Sequence, residues 1–256
     1  MVNHTRKKKY AKCQCIVSCK NPPLENSPFC ALHIKYCSRR SPMTGSEPDF
    51  QPDLYNRYKG LKESLNCFAY AFDYRKLPKH SNCTKDSCSV SFPQPGRASG
   101  YPRWSNVKGK RCPDLMARLF GDVPELKLSS FEKSCPKDYS KIALVVDEDE
   151  DYHFYRQDSN GYWSHKPGAT NVTHIDATGR PIYDPELASR MYDDSGLNYD
   201  KFCGFLCTPK NKVLHFKRGG KRSTNKRSTN KRSTNKQSTN KQSTNKRSSN
   251  KVINYK

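Results

Sequence analysis

The chain is 256 residues long, carries a formal net charge of +23 and has twelve cysteines and 33% hydrophobic residues. Its length fits one or two domains. Thirteen lysines and arginines lie from residue 218 onward with no acid, and residues 1–40 hold nine against Glu25, so residues 41–217 keep only +2. The charge therefore belongs to two basic ends. Such ends attract nucleic acid or another polyanion non-specifically and say nothing of the chemistry between them. No apolar run approaches the roughly 18 residues needed to span a bilayer.

MVNHTRKKKY is followed by cysteines and not by an apolar signal core, so the expected location is intracellular or inside a virion, and the cysteines read as metal ligands plus free thiols with their redox state open. The head, residues 1–40, then reads CQCIVSCKNPPLENSPFCALH, supplying Cys13, Cys15, Cys19, Cys30 and His33, with Cys37 beyond. A structural zinc needs four thiolate or imidazole ligands and can hold together a segment too short for its own core. Cys15, Cys19, Cys30 and His33 form the expected set, with Cys13 the alternative to Cys15. The flanking RKKK and SRR suit phosphate contacts, but without interleaved aromatics there is no sign of base reading.

Residues 41–53 read as a linker rich in Pro, Gly and Ser, and residues 54–217 as the folded domain. From Leu54, apolar positions at Leu61, Leu65, Phe68, Ala69 and Phe72 have helical spacing and place Cys67 at or near a helix start. Prolines and glycines make residues 78–111 irregular, and CPDLMARLFGDV predicts a short helix with Asp114 at its positive end. KIALVVD, HFYRQ and YWSHKPG, separated by the acidic DEDED and by DSNG, predict a three-strand meander; DEDED reads as a solvated loop. DPELASRMY predicts another short helix, and FCGFLCTP a last buried strand with Cys203 and Cys207 on one face. The remaining cysteines, Cys83, Cys88, Cys112, Cys135, Cys203 and Cys207, lack paired zinc spacing and read as structural thiols. The class is α+β. Residues 218–256 repeat KRSTN, KQSTN and KRSSN; a five-residue polar period has no face to bury, so this tail is expected to be disordered.

NCFAYAF offers a cysteine at the head of an apolar helix, where a helix N-terminus and a nearby imidazole favour the thiolate. His153 opens one strand and His165 lies on the next, so in a hairpin one can face the cysteine while the other orients its partner. His174 competes for that third place.

This order of cysteine-bearing helix, histidine-opened strand and second histidine on the following strand resembles the NlpC/P60 group of papain-like cysteine peptidases and amidases, over roughly residues 54–208. NCFAYAF and DYHFYRQDSNGYWSHKPG also resemble uncharacterised proteins of bacteria and large DNA viruses. The resemblance implies a papain-like helix packed on an antiparallel sheet, with Cys67 as nucleophile, His153 as base and His165 as the orienting residue. Catalysis would then be acyl transfer from an amide or thioester, its oxyanion held by the backbone N–H of Cys67 and the side chain of Asn66. A competing expectation is a non-enzymatic, zinc-binding protein that associates with polyanions through its basic ends.

Overall fold

The structure, a computed structural model, describes residues 10–15, 19–107, 110–148 and 150–210. The basic stretch 6–9 and the tail 218–256, with the polyanion and disorder expectations attached to them, lie outside the described residues.

Five antiparallel strands form the main sheet in the order β1 (Lys127–Ser129), β7 (Lys201–Pro209), β2 (Tyr139–Val146), β3 (Tyr152–Gln157) and β4 (Trp163–Ser164). A separate hairpin pairs β5 (Met191–Tyr192) with β6 (Leu197–Asn198). The expected meander is β2, β3 and β4, but the last strand returns to the centre, between β1 and β2.

The reason β2 reads so clearly is its burial on both faces. Such a strand needs a continuous apolar run and not an alternating one. Ile142, Leu144 and Val146 meet Phe154, Leu206, Phe68 and Leu119 on one side. Ala143 and Val145 meet Tyr155, Trp163 and Phe205 on the other. Tyr155 and Trp163 thus belong to the core. Helices α4 (Cys67–Ala71) and α5 (Cys112–Asp122) cover the first side, with a short 3-10 turn at Trp104–Asn106. In α5 the Asp114 carboxylate accepts the Arg111 N–H at 3.3 Å, filling the expected role at the positive end. The result is an α+β domain with an antiparallel sheet.

The helical pattern from residue 54 does not form one helix. It gives α2 (Asp53–Asn56), α3 (Lys59–Ser64) and α4, with extended backbone at Leu65 and Asn66. Asn66 makes this break because its Oδ1 accepts the Ala69 N–H at 3.2 Å, capping a new helix. Lys166, fully buried, then locks it: Nζ donates to the carbonyls of Lys62, Leu65 and Gly168 at 2.6–2.7 Å. Lys141 acts likewise elsewhere, donating to Ser41 Oγ and to the carbonyls of Phe131 and Lys133. That ties the 41–53 segment to the sheet.

Three expectations are corrected. DPELASRMY is a turn followed by β5, since the Arg190 guanidinium takes the carbonyls of Pro185, Glu186 and Ala188 that a continuing helix would use. DEDED is not simply solvated: Asp147 accepts the Asn198 N–H at 2.9 Å, and Asp151 accepts the Tyr199 hydroxyl at 3.3 Å. The cysteines outside the head and Cys67 are not thiols but pair as Cys83–Cys88, Cys112–Cys203 and Cys135–Cys207. Cys203 and Cys207 do not share a face, because the β2–β7 register shifts beside Gly204, whose φ is +126°. The extra residue turns Cys203 toward α5 and leaves Cys207 to Cys135.

Candidate active site and metal cluster

In the head, α1 (Ile34–Cys37) follows His33, and Cys13, Cys19, Cys30 and His33 bring their ligand atoms within 4.8 Å of one another. Cys19 Sγ lies 3.7 Å from Cys30 Sγ, and His33 Nδ1 lies 3.3 Å from Cys30 Sγ and 3.6 Å from Cys13 Sγ. Zinc–sulfur bonds of about 2.3 Å in a tetrahedron put neighbouring ligands about 3.8 Å apart, so the donor set fits a four-coordinate metal. Cys15 is corrected: it is bonded to Cys37, and Cys13 takes the fourth position, its sulfur accepting the Cys30 N–H at 3.3 Å. Residues two apart in extended chain point the same way, so Cys-x-Cys spacing alone could not choose between them.

Eight of the twelve cysteines are thus disulfide-bonded and three join His33. The twelfth is Cys67.

Cys67 opens α4, 5% exposed, and its thiol donates to the Tyr152 carbonyl at 3.8 Å. β4 pairs with β3 only at Arg156 and Gln157, so the start of β3 is an open edge there, and the thiol lies against it. The side chain of His153 leaves that edge on the face opposite Tyr152 and Phe154. No hydrogen bond joins Cys67 to His153 among the described residues. Both nevertheless line one cleft of about 600 Å³ that wraps around the edge, together with Asn66, Asp151 and Tyr199.

The two predicted histidines meet. His153 Nε2 is 2.8 Å from His165 Nδ1, and His165 Nε2 is 2.8 Å from the Ile175 carbonyl. A carbonyl only accepts, so His165 carries its proton on Nε2, leaving Nδ1 as acceptor. His153 must then donate from Nε2, and its Nδ1 holds a lone pair. Burial, and for His153 also the neighbouring His165, lowers both imidazoles, His165 to about 4, which keeps them neutral. His174 lies elsewhere, edge-on to Phe50.

Two electrostatic expectations change. The Cys67 thiol is raised and not lowered: burial dominates, the Asp151 carboxylate adds to it, and the amides of Phe154 and Phe68 only partly oppose it. A helix of five residues adds too little macrodipole to reverse that. Asn66 has no free donor for an oxyanion, because Nδ2 donates to the Pro93 carbonyl at 3.0 Å and lies 3.4 Å from the Tyr152 hydroxyl. Its contacts cap α4 and hold the turn that precedes Cys67.

Arg156, a candidate cleft-lining residue by its place in HFYRQ, instead supports the site from within the core. Buried in β3, it pairs with Asp158 and Asp73 at 3.0 Å and receives the Tyr70 ring beneath its guanidinium at 3.9 Å, fastening α4 to the strand that bears His153. A buried arginine amid aromatics in HFYRQ was the available signal.

No protein-family model matches the chain, and no solved structure matches it. It is 38% identical to "Insoluble matrix shell protein 1" of Ruditapes philippinarum over 157 residues, which cover 61% of this chain and 87% of that protein. Among the described residues no helix is long and apolar enough to cross a membrane.

Proposed function

This chain belongs to the same family as Insoluble matrix shell protein 1, and from that premise we propose that it is a thiol-dependent hydrolase or acyltransferase working in an extracellular matrix. The observation that carries the chemistry is the hydrogen-bonded series from Ile175 O through His165 to His153, which leaves a lone pair on Nδ1 of His153, a residue that lines the same cleft as Cys67. Helix-borne cysteine, strand-borne histidine and orienting histidine follow the order that the NlpC/P60 resemblance implies, and a papain-like classification rests on that order.

The resting pair is neutral thiol and neutral imidazole. As Cys67 Sγ attacks the carbonyl carbon of an amide or thioester, the thiol proton passes through water in the shared cleft to His153 Nδ1, and the backbone N–H of Cys67 faces the developing oxyanion. Returning that proton to the departing amine or thiol leaves the acyl group as a thioester on Cys67. Water or a second nucleophile, giving up its proton to His153, then releases the acyl group and restores the thiol.

Two further supports concern setting. Four disulfides persist where the surroundings oxidise thiols, and the relative's name places that protein in an insoluble shell matrix. The cluster of Cys13, Cys19, Cys30 and His33 holds a structural zinc in this reading, supplying the head with folding energy that its few apolar residues do not.

Alkylation by limiting iodoacetamide, without reductant and mapped by mass spectrometry, tests the reading. Cys67 is expected to label first, and His153→Ala to slow it about 100-fold. Labelling of Cys67 that is indifferent to His153→Ala would refute it.

A second reading, a non-enzymatic zinc-binding matrix component retained by its basic ends, is favoured by the relative's name. It expects Cys67→Ala to leave recovery in a sedimented matrix fraction unchanged, and a loss on that substitution would count against it.

A further inference from the structure

The cleft that Cys67 and His153 line is acidic, although the chain as a whole carries +23. Its carboxylates are Asp151, on the turn before β3, and Asp193 and Asp194, in the turn between β5 and β6. Among the described residues no lysine or arginine lines it.

The nearby cations are committed to main-chain oxygens. Lys166 donates to three carbonyls behind the Cys67 turn, Arg190 to those of Tyr199, Pro185, Glu186 and Ala188, and Lys110 to that of Glu150. Of these three, Lys110 is near enough for its charge to act on Asp151, while Lys166 and Arg190 spend their donors on main-chain oxygens and not on Asp193 or Asp194. Beside Asp193 and Asp194 the same hairpin offers Met191 and Leu197 to the cleft. An apolar flank ending in carboxylates matches a side chain with an aliphatic stem and a cationic head.

We propose that Asp193 and Asp194, with Asp151 deeper in the cleft, select substrates bearing a lysine or arginine side chain next to the carbonyl that Cys67 attacks. This rests on the reading of Cys67 as a nucleophile and names the substrate class of that site. Opposite charges in a concave site raise the local concentration of a cationic substrate and weaken with salt. The acidic hairpin is the specificity element, and Cys67 with His153 is the reacting one.

The test needs no natural substrate. Three acetylated aminoacyl chloromethyl ketones, carrying lysine, norleucine or glutamate, are reacted with the full-length, disulfide-intact protein. Each alkylates Sγ with loss of chloride while His153 takes the thiol proton. At low salt the lysine probe is expected to label Cys67 about fivefold faster than norleucine, as two partly exposed ion pairs allow, and glutamate slowest. The ratio of the two rates does not depend on what fraction of a variant is folded. It is expected to approach one in the Asp193→Asn, Asp194→Asn double variant, and to favour glutamate when both are changed to Lys. Equal labelling by all three probes, faster than in denatured protein, would overturn the selectivity and leave the nucleophile standing. Labelling of Cys67 no faster than in denatured protein would remove the nucleophile and the selectivity with it.

Discussion

His153 Nε2 and His165 Nδ1 lie 2.8 Å apart across the β3–β4 edge, and with Ile175 O beyond them the direction of every proton in the series is set. Burial lowers both imidazoles and keeps both rings neutral, and it is in that state that the series has this direction. A proton on His165 Nδ1 would oppose the donor on His153, and both rings are almost wholly buried.

This neutrality makes stability depend on pH. His165 ordinarily titrates near 6.5 and is lowered to about 4 by burial. The folded state therefore resists a proton that the unfolded chain accepts. The stabilisation is complete above pH 6.5 and is lost as pH falls toward 4, by about 3 kcal/mol for the full shift. His165→Gln keeps an acceptor for His153 but does not titrate, so urea unfolding at pH 7 and pH 4.5 should show a smaller loss in the variant. Equal losses in both would contradict the neutral pair.

The metal cluster predicts opposite behaviour of two neighbouring cysteines. Cys13→Ser removes a ligand, whereas Cys15→Ser breaks only the bond to Cys37. Zinc content by mass spectrometry of the intact protein should drop in the first and persist in the second. Cobalt substitution should give thiolate charge-transfer absorption in the second alone. Loss of metal in Cys15→Ser with retention in Cys13→Ser would restore the ligand set that the spacing first suggested.

Cys112–Cys203 joins α5 to the interior strand β7 across 91 residues of sequence. Replacing both with Ala should cost about 4 kcal/mol, read from denaturant midpoints under non-reducing conditions. Thermal midpoints that are the same with and without reductant would mean that the bond contributes nothing.

Lys141 is lowered to about 8 by burial, against an ordinary 10.5. Between those values the unfolded chain holds more protons, so this residue's unfavourable contribution shrinks as pH rises from 8 to 10.5. Lys141→Ala leaves Ser41 Oγ and the carbonyls of Phe131 and Lys133 without their donor and should destabilise by about 3 kcal/mol. Release of the 41–53 segment, followed by limited proteolysis, is the expected symptom, and unchanged cleavage there would contradict it.

The parts legible in the sequence are those that local chemistry decides. IALVV announces a buried strand, the apolar spacing around Phe68, Ala69 and Phe72 places Cys67 at or near a helix start, and His153 and His165 fall on consecutive strands at a spacing that lets them touch. The parts that were not legible depend on partners far away in sequence. Strand β7 lies between β1 and β2 although no local signal places it there. Gly204 moves Cys203 to the other face through a register shift that i, i+4 counting cannot foresee. The thiol of Cys67 is raised by burial, to which Asp151 adds and which five helical residues cannot offset. The Asn66 amide is engaged by Pro93 and Tyr152, neither of which is near it in sequence.

The most direct test of Cys67 as a nucleophile with His153 as its base is reaction with p-nitrophenyl acetate at neutral pH. A burst of p-nitrophenol equal to the protein present, an acetyl group mapped to Cys67, slow turnover afterwards, and loss of the burst in His153→Ala are the predicted results. Acetylation of Cys67 no faster than in the denatured chain, with no turnover and no effect of His153→Ala, would contradict the account.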